Sequence, residues 1–107
     1  MNITTGTYKI FYARSPEALL GNTTPTAAEL PQTHVFVRAL RSTDLESVYW
    51  AMQGENWSPR GEARPLIARL GLGHTSLSLG DVVQAPDGRY YVCTWSDWDE
   101  LPDQVQT

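Results

Sequence analysis

The sequence predicts an α+β domain in which an antiparallel sheet of four to five strands carries one main helix on a face. Three observations lead there. In Thr7 to Arg14 (TYKIFYAR), Tyr8, Ile10 and Tyr12 recur at period two, the spacing of a strand with one buried face. Leu45, Val48, Tyr49 and Met52 fall at i, i+3, i+4 and i+7, a single apolar stripe along a helix. Two β-rich runs, Asp81 to Ala85 and Arg89 to Trp95, flank Pro86-Asp87-Gly88, a strong local signal for a hairpin. A chain of 107 residues buries roughly two thirds of its unfolded surface. That supports one modest core, hence one domain over 1–107 with an acidic C-terminal segment, 97–107.

The remaining elements follow in chain order. Phe11 lies opposite the tyrosines of the first strand, so that strand is expected to be covered in part on both faces. Ser15-Pro16 opens a short helical turn that Gly21 stops, because Ser caps well and Pro suits the first helical position. Asn22 to Thr33, rich in Thr, Pro, Ala and Gln, reads as a long surface loop. His34 to Arg41 is the second strand, with Val35, Val37 and Ala39 alternating against His34, Phe36, Arg38 and Leu40. Ser42 or Thr43 caps the main helix, Thr43 with Glu46 fits a capping box, and Gly54 ends the helix. Asn56 to Pro65 is an ordered loop, and Pro65 to Leu70 makes one or two helical turns halted by Gly71 and Gly73. Leu77-Ser78-Leu79 is a candidate leading strand before the hairpin, and Ser96 to Leu101 (SDWDEL) a candidate turn of helix. A small, strongly bent barrel of SH3-like form, with the helix as an insertion, is the alternative architecture.

Composition narrows the function. Apolar residues make up 41% and charged residues 19% of the chain, a globular mix. No apolar stretch approaches the roughly 20 residues of a membrane span, so no membrane partner is expected. Cys93 is the sole cysteine, which excludes an intramolecular disulfide and, with no N-terminal apolar run, suggests a cytoplasmic setting. The net charge of -4 argues against a broad nucleic-acid footprint. Its placement is uneven. Residues 1–80 are nearly neutral, whereas in 81–107 six carboxylates (Asp81, Asp87, Asp97, Asp99, Glu100 and Asp103) stand against Arg89 alone. A local basic patch of Arg60, Arg64 and Arg69 beside Trp57 leaves single-strand binding as a minor reading.

Asn56 to Val83 (NWSPRGEARPLIARLGLGHTSLSLGDVV), followed by DGRYYVCTW, resembles a family of small uncharacterised proteins of bacteriophages and other mobile elements. In that family N-W-S-P-x-G-E-A-R precedes H-T-S-[ML]-S-[VL]-G-D-[VI] and a hairpin ending in a Y-x-V strand. The likeness covers roughly Leu45 to Leu101, and a looser one extends to the YodL-like group. Leu77 and Leu79 stand where Met and Val are commoner. The resemblance implies a mobile-element origin and a bacterial cytoplasm, and it implies no chemistry.

Candidate site residues fall in two sets. The first is the motif His74, Thr75, Ser76, Gly80 and Asp81. Ser, His and Asp are the residue types of a hydrolytic triad, but triad members normally converge from separate elements. A structural role fits better, with Thr75 and Ser76 bonding loop backbone and Asp81 accepting backbone N–H groups after the Gly80 turn. A small enzyme or small-ligand binder using a His74/Ser76/Asp81 pocket is the alternative function. His34, His74 and Cys93 have no metal-ligand spacing, so neither metal nor cofactor is expected. The second set is aromatic and acidic. Trp50 lies about 140° around the helix from Leu45, beside Glu46 and Ser47, on the face away from the core stripe. Either the segment after the helix folds over it, or it anchors a partner. Trp57 and Trp98, with Asp97, Asp99 and Glu100, complete the candidate partner surface. The function expected is therefore non-enzymatic: an interaction module that binds a host or phage protein, with inhibition of a host defence system as one task. Self-association through the edge of the first strand is a further possibility.

Overall fold

The computed structural model describes residues 5–14, 27–94 and 97–101. The Ser15 to Gly21 turn, Trp95 and Asp103 lie outside them. Five strands form one open antiparallel sheet: β1 (Gly6–Ala13), β2 (His34–Ser42), β3 (Val82–Gln84), β4 (Tyr90–Cys93) and β5 (Trp98–Glu100). Their order is β2-β1-β3-β4-β5. Among the described residues four short helices accompany them: α1 (Leu30–Thr33, after a 3-10 turn at Ala27–Glu29), α2 (Leu45–Ala51), α3 (Gly54–Trp57) and α4 (Arg64–Arg69).

The first strand is the axis of the sheet because both its edges are paired, with β2 on one side and β3 on the other. On the second side β3 covers Lys9 to Phe11, and among the described residues the outer strands of the sheet are β2 and β5. Tyr8, Ile10 and Tyr12 are fully buried at the expected period of two. They join Val48 and Met52 of the α2 stripe, Ile67 of α4, Leu77, Val83 and Tyr91 in the main core. The opposite face carries a smaller core of Leu30, Val82, Val92 and Leu101, with Phe11 and Tyr90 packed against it. Phe11 stacks edge-on to Phe36 at 5.6 Å, which leaves Phe36 47% exposed near the open edge of β2.

Several local expectations are corrected. The alternation in β2 breaks at a bulge: Phe36 faces Phe11 while Arg38 faces Ile10, so Val37 is the extra residue. Val37 turns into the main core and Leu40 packs against it, whereas Ala39 is exposed. Asp44 caps α2, one residue later than the Thr43 capping box, and its side chain accepts from the Ser47 amide at 2.8 Å. The Asp carboxylate outcompetes the Thr hydroxyl as an acceptor. The α2 helix ends before Gly54, which instead opens α3. Residues 27–33, read as loop, fold into helical turns because Leu30 has the second core to enter. Leu77-Ser78-Leu79 is no strand: the Leu77 amide donates to Met52 and the Ser78 amide to the Asp81 side chain. Residues 98–100 form β5 rather than a helical turn, since Trp98 and Leu101 reach opposite cores only from an extended chain.

The hairpin forms as expected. Gly88, at φ 90, takes the left-handed conformation that closes the turn between Ala85 and Arg89. The Asp87 carboxylate accepts from the Arg89 amide at 2.8 Å.

Candidate functional site

The motif region is built around Asp81, which is wholly buried where the chain enters β3. Its Oδ1 accepts from the Ala13 amide at 2.8 Å. Its Oδ2 accepts from the Ser78 amide and from His74 Nε2, both at 2.8 Å. One carboxylate thus ties the end of β1, the motif loop and an imidazole together. His74 stacks on Tyr12 with ring centroids 4.6 Å apart and keeps 31% of its side chain exposed. The Tyr12 hydroxyl donates to the Thr75 carbonyl at 2.6 Å, and burial pushes its pKa up. Trp57 Nε1 donates to the same carbonyl at 3.1 Å.

Ser76 is drawn elsewhere. Its hydroxyl accepts from the Gly54 amide at 2.7 Å, and a Cβ at Gly54 would stand 3.2 Å from that oxygen. Gly80 gives its carbonyl to a second imidazole, buried His34, at 2.8 Å. The carbonyl only accepts, so His34 Nε2 carries the proton and Nδ1 receives the Thr33 hydroxyl at 2.8 Å. The structure therefore brings His74 and Asp81 together and leaves Ser76 on backbone duty. The Ser76 hydroxyl does not join this pair. Burial, and then the Asp81 charge, push the Cys93 thiol up to about 11, which removes its thiolate at neutral pH. Among the described residues no group of three or more His, Cys, Asp or Glu is placed to hold a metal ion, and no helix is long and apolar enough to cross a membrane.

The two histidines titrate in opposite senses. The hydrogen bond that His74 donates to Asp81 raises its pKa above the ordinary 6.5, against the opposing effect of burial. Burial lowers that of His34 below 6.5. The stabilisation from His74 is complete below pH 6.5 and is lost as pH rises through its folded pKa. That of His34 is complete above pH 6.5 and is lost as pH falls toward its own lower value. Their summed contribution peaks near pH 6.5. In urea titrations from pH 5 to 8, the stability gap between the native chain and His74→Asn is expected to narrow above pH 6.5. The gap to His34→Gln is expected to widen from pH 5 to 6.5. A gap that holds constant with pH in either variant rejects the corresponding assignment.

The aromatic and acidic set divides. Trp57 packs against the main core, and the Arg38 guanidinium covers its ring at 5.2 Å, so it is no open anchor or stacking platform. Trp50 stays 58% exposed; the segment after α2 does not fold over it. Trp98, though it packs on the core from below, shares with Trp50 a groove of about 620 Å³ between α2 and the β4–β5 connection. Glu46, Tyr49, Gln53 and Asp97 also line it. Gln53 Nε2 donates to the Tyr49 and Leu77 carbonyls at 2.9 and 3.1 Å, locking the end of α2 onto the groove floor. On the far wall the Thr94 amide donates to the Asp97 carbonyl at 2.9 Å, holding the approach to Trp98.

Asp99 and Glu100 do not join the groove. Asp99 pairs with Val92, on the opposite face of the sheet from Trp98, and Glu100 meets Arg89 at 3.5 Å in an exposed ion pair. Glu46 and Tyr49 were missed as site residues. For Glu46 the signal was present, four residues before Trp50 on one helical face. Tyr49 was hidden by its membership of the core stripe. Comparison of the chain with protein-family models, with curated proteins and with solved structures finds no match.

Proposed function

We propose that the chain is a non-enzymatic interaction module of phage or mobile-element type, which binds a bacterial host protein through the Trp50–Trp98 groove. Inhibition of a host defence system is the task this reading assigns it. The observation that carries the binding role is Trp50, 58% exposed on α2 and lining a groove that also holds Trp98. Leaving a large aromatic ring in water forgoes the gain from burying it, and tryptophan is enriched among residues that dominate binding energy. The origin and the host rest on the motif resemblance.

The second reading, a small enzyme or small-ligand binder at His74, has one observation in its favour. A buried carboxylate orients an imidazole whose ring is partly exposed. Against it, the Ser76 hydroxyl is held by the Gly54 amide.

Affinity capture from a bacterial host lysate separates the two. The native chain and His74→Asn are expected to retain the same partner, and Trp50→Ala/Trp98→Ala to lose it. Undiminished retention by the double variant overturns the groove as the interface. Loss of the partner in His74→Asn alone moves the interface from the groove to the His74 side.

A further inference from the structure

Resting on that reading, we infer that the groove receives an arginine side chain projecting from the partner protein. Three features of the groove select this chemistry. Tyr49 and Trp50 meet edge to face, at 84° with centroids 5.7 Å apart, and line the groove together with Trp98. Aromatic faces carry negative quadrupolar potential and attract cations.

Glu46 and Asp97, one from each wall, add two carboxylates. Neither has an ion-pair partner among the described residues, and no Lys, Arg or His is among the residues that line the groove. The groove is thus complementary to positive charge and repels phosphate or carboxylate. Guanidinium suits it better than ammonium, because its plane stacks on an indole while its edge donates two N–H groups to a carboxylate. The same chain already pairs these partners internally, with Arg38 over Trp57 at 5.2 Å. There the aromatic is closed off by the fold; at Trp50 and Trp98 the equivalent cation has to come from outside.

The test is a titration of the intact chain, read from the indole N–H signals by NMR, with three probes: acetyl-Gly-Gly-Arg-Gly-Gly-amide, its lysine analogue and its neutral citrulline analogue. The arginine peptide is expected to shift the Trp50 and Trp98 signals and leave Trp57 in place. The lysine peptide should bind several-fold more weakly, and the citrulline peptide should give no saturable shift. Glu46→Gln/Asp97→Asn, both surface changes, should weaken the arginine peptide about tenfold. The inference falls if citrulline or lysine binds as tightly as arginine, if the charge variant binds unchanged, or if no shift occurs at Trp50 and Trp98. Should it fall while host-protein capture still depends on those two tryptophans, the interaction reading stands with a different occupant. Capture indifferent to the tryptophans removes that reading itself.

Discussion

Replacing Asp81 with alanine is expected to cost the fold about 3–5 kcal/mol, because a fully buried carboxylate that accepts from three N–H donors is lost. The mechanism is specific. The substitution leaves the Ala13 and Ser78 amides without their acceptor and releases His74 from the carboxylate it bonds. A buried N–H left unmet costs about 1–3 kcal/mol; the Ala13 amide is buried and the Ser78 amide partly so, and the two together account for most of the loss. Asp81→Asn is expected to recover only part of it. The amide keeps the shape and one acceptor oxygen, but its NH2 must face one of three N–H donors. Urea denaturation would show a lower midpoint with an unchanged slope. A loss below about 1 kcal/mol for Asp81→Ala would sink the view that this carboxylate joins β1 to the motif loop.

Tyr12 is expected to separate packing from hydrogen bonding. Tyr12→Ala removes a fully buried ring that His74 stacks upon, and a loss of about 3–5 kcal/mol is expected, as for other large aromatic truncations. Tyr12→Phe keeps the ring and deletes the bond to the Thr75 carbonyl. That carbonyl still receives Trp57 Nε1, so no acceptor is stranded and the cost should stay within about 0.5–1.5 kcal/mol. If the two variants proved equally destabilising, the hydroxyl rather than the ring would be the source of stability. Thermal denaturation of both, beside the native chain, decides it.

These two residues illustrate what a linear reading reaches. Tyr12 was legible as a core residue because period-two patterning depends only on the strand's own geometry. Its stacking on His74, 62 positions away in the chain, was not. Asp81 was legible as an acceptor of backbone N–H groups, since an Asp after a Gly turn commonly accepts them. The particular amides were not, because Ala13 reaches it only through the pairing of β1 with β3. The misread segments share one cause. Residues 27–33 and 98–100 are short and carry one large apolar side chain each, Leu30 and Trp98, too few to show a period. Their conformation is decided by which core those side chains enter.

By itself the sequence determined the elements whose pattern is internal to them: the buried face of β1, the α2 stripe, the P-D-G hairpin and the outward position of Trp50. It also determined the acidity of the last quarter, and with it the exclusion of a broadly basic surface. Only the tertiary structure decided which aromatic residues remain available. Trp57 is closed by Arg38 and the Thr75 carbonyl, while Trp50 and Trp98, distant in the chain, come to line one groove. It likewise divided the acidic run: Asp97, just before β5, lines the groove, whereas Asp99, inside β5, lies on the face opposite its neighbour Trp98, since successive residues of a strand point to opposite sides of its sheet. Local patterning sets which side of an element a residue occupies. What lies opposite that side is set by strand order and packing, and the groove exists only there.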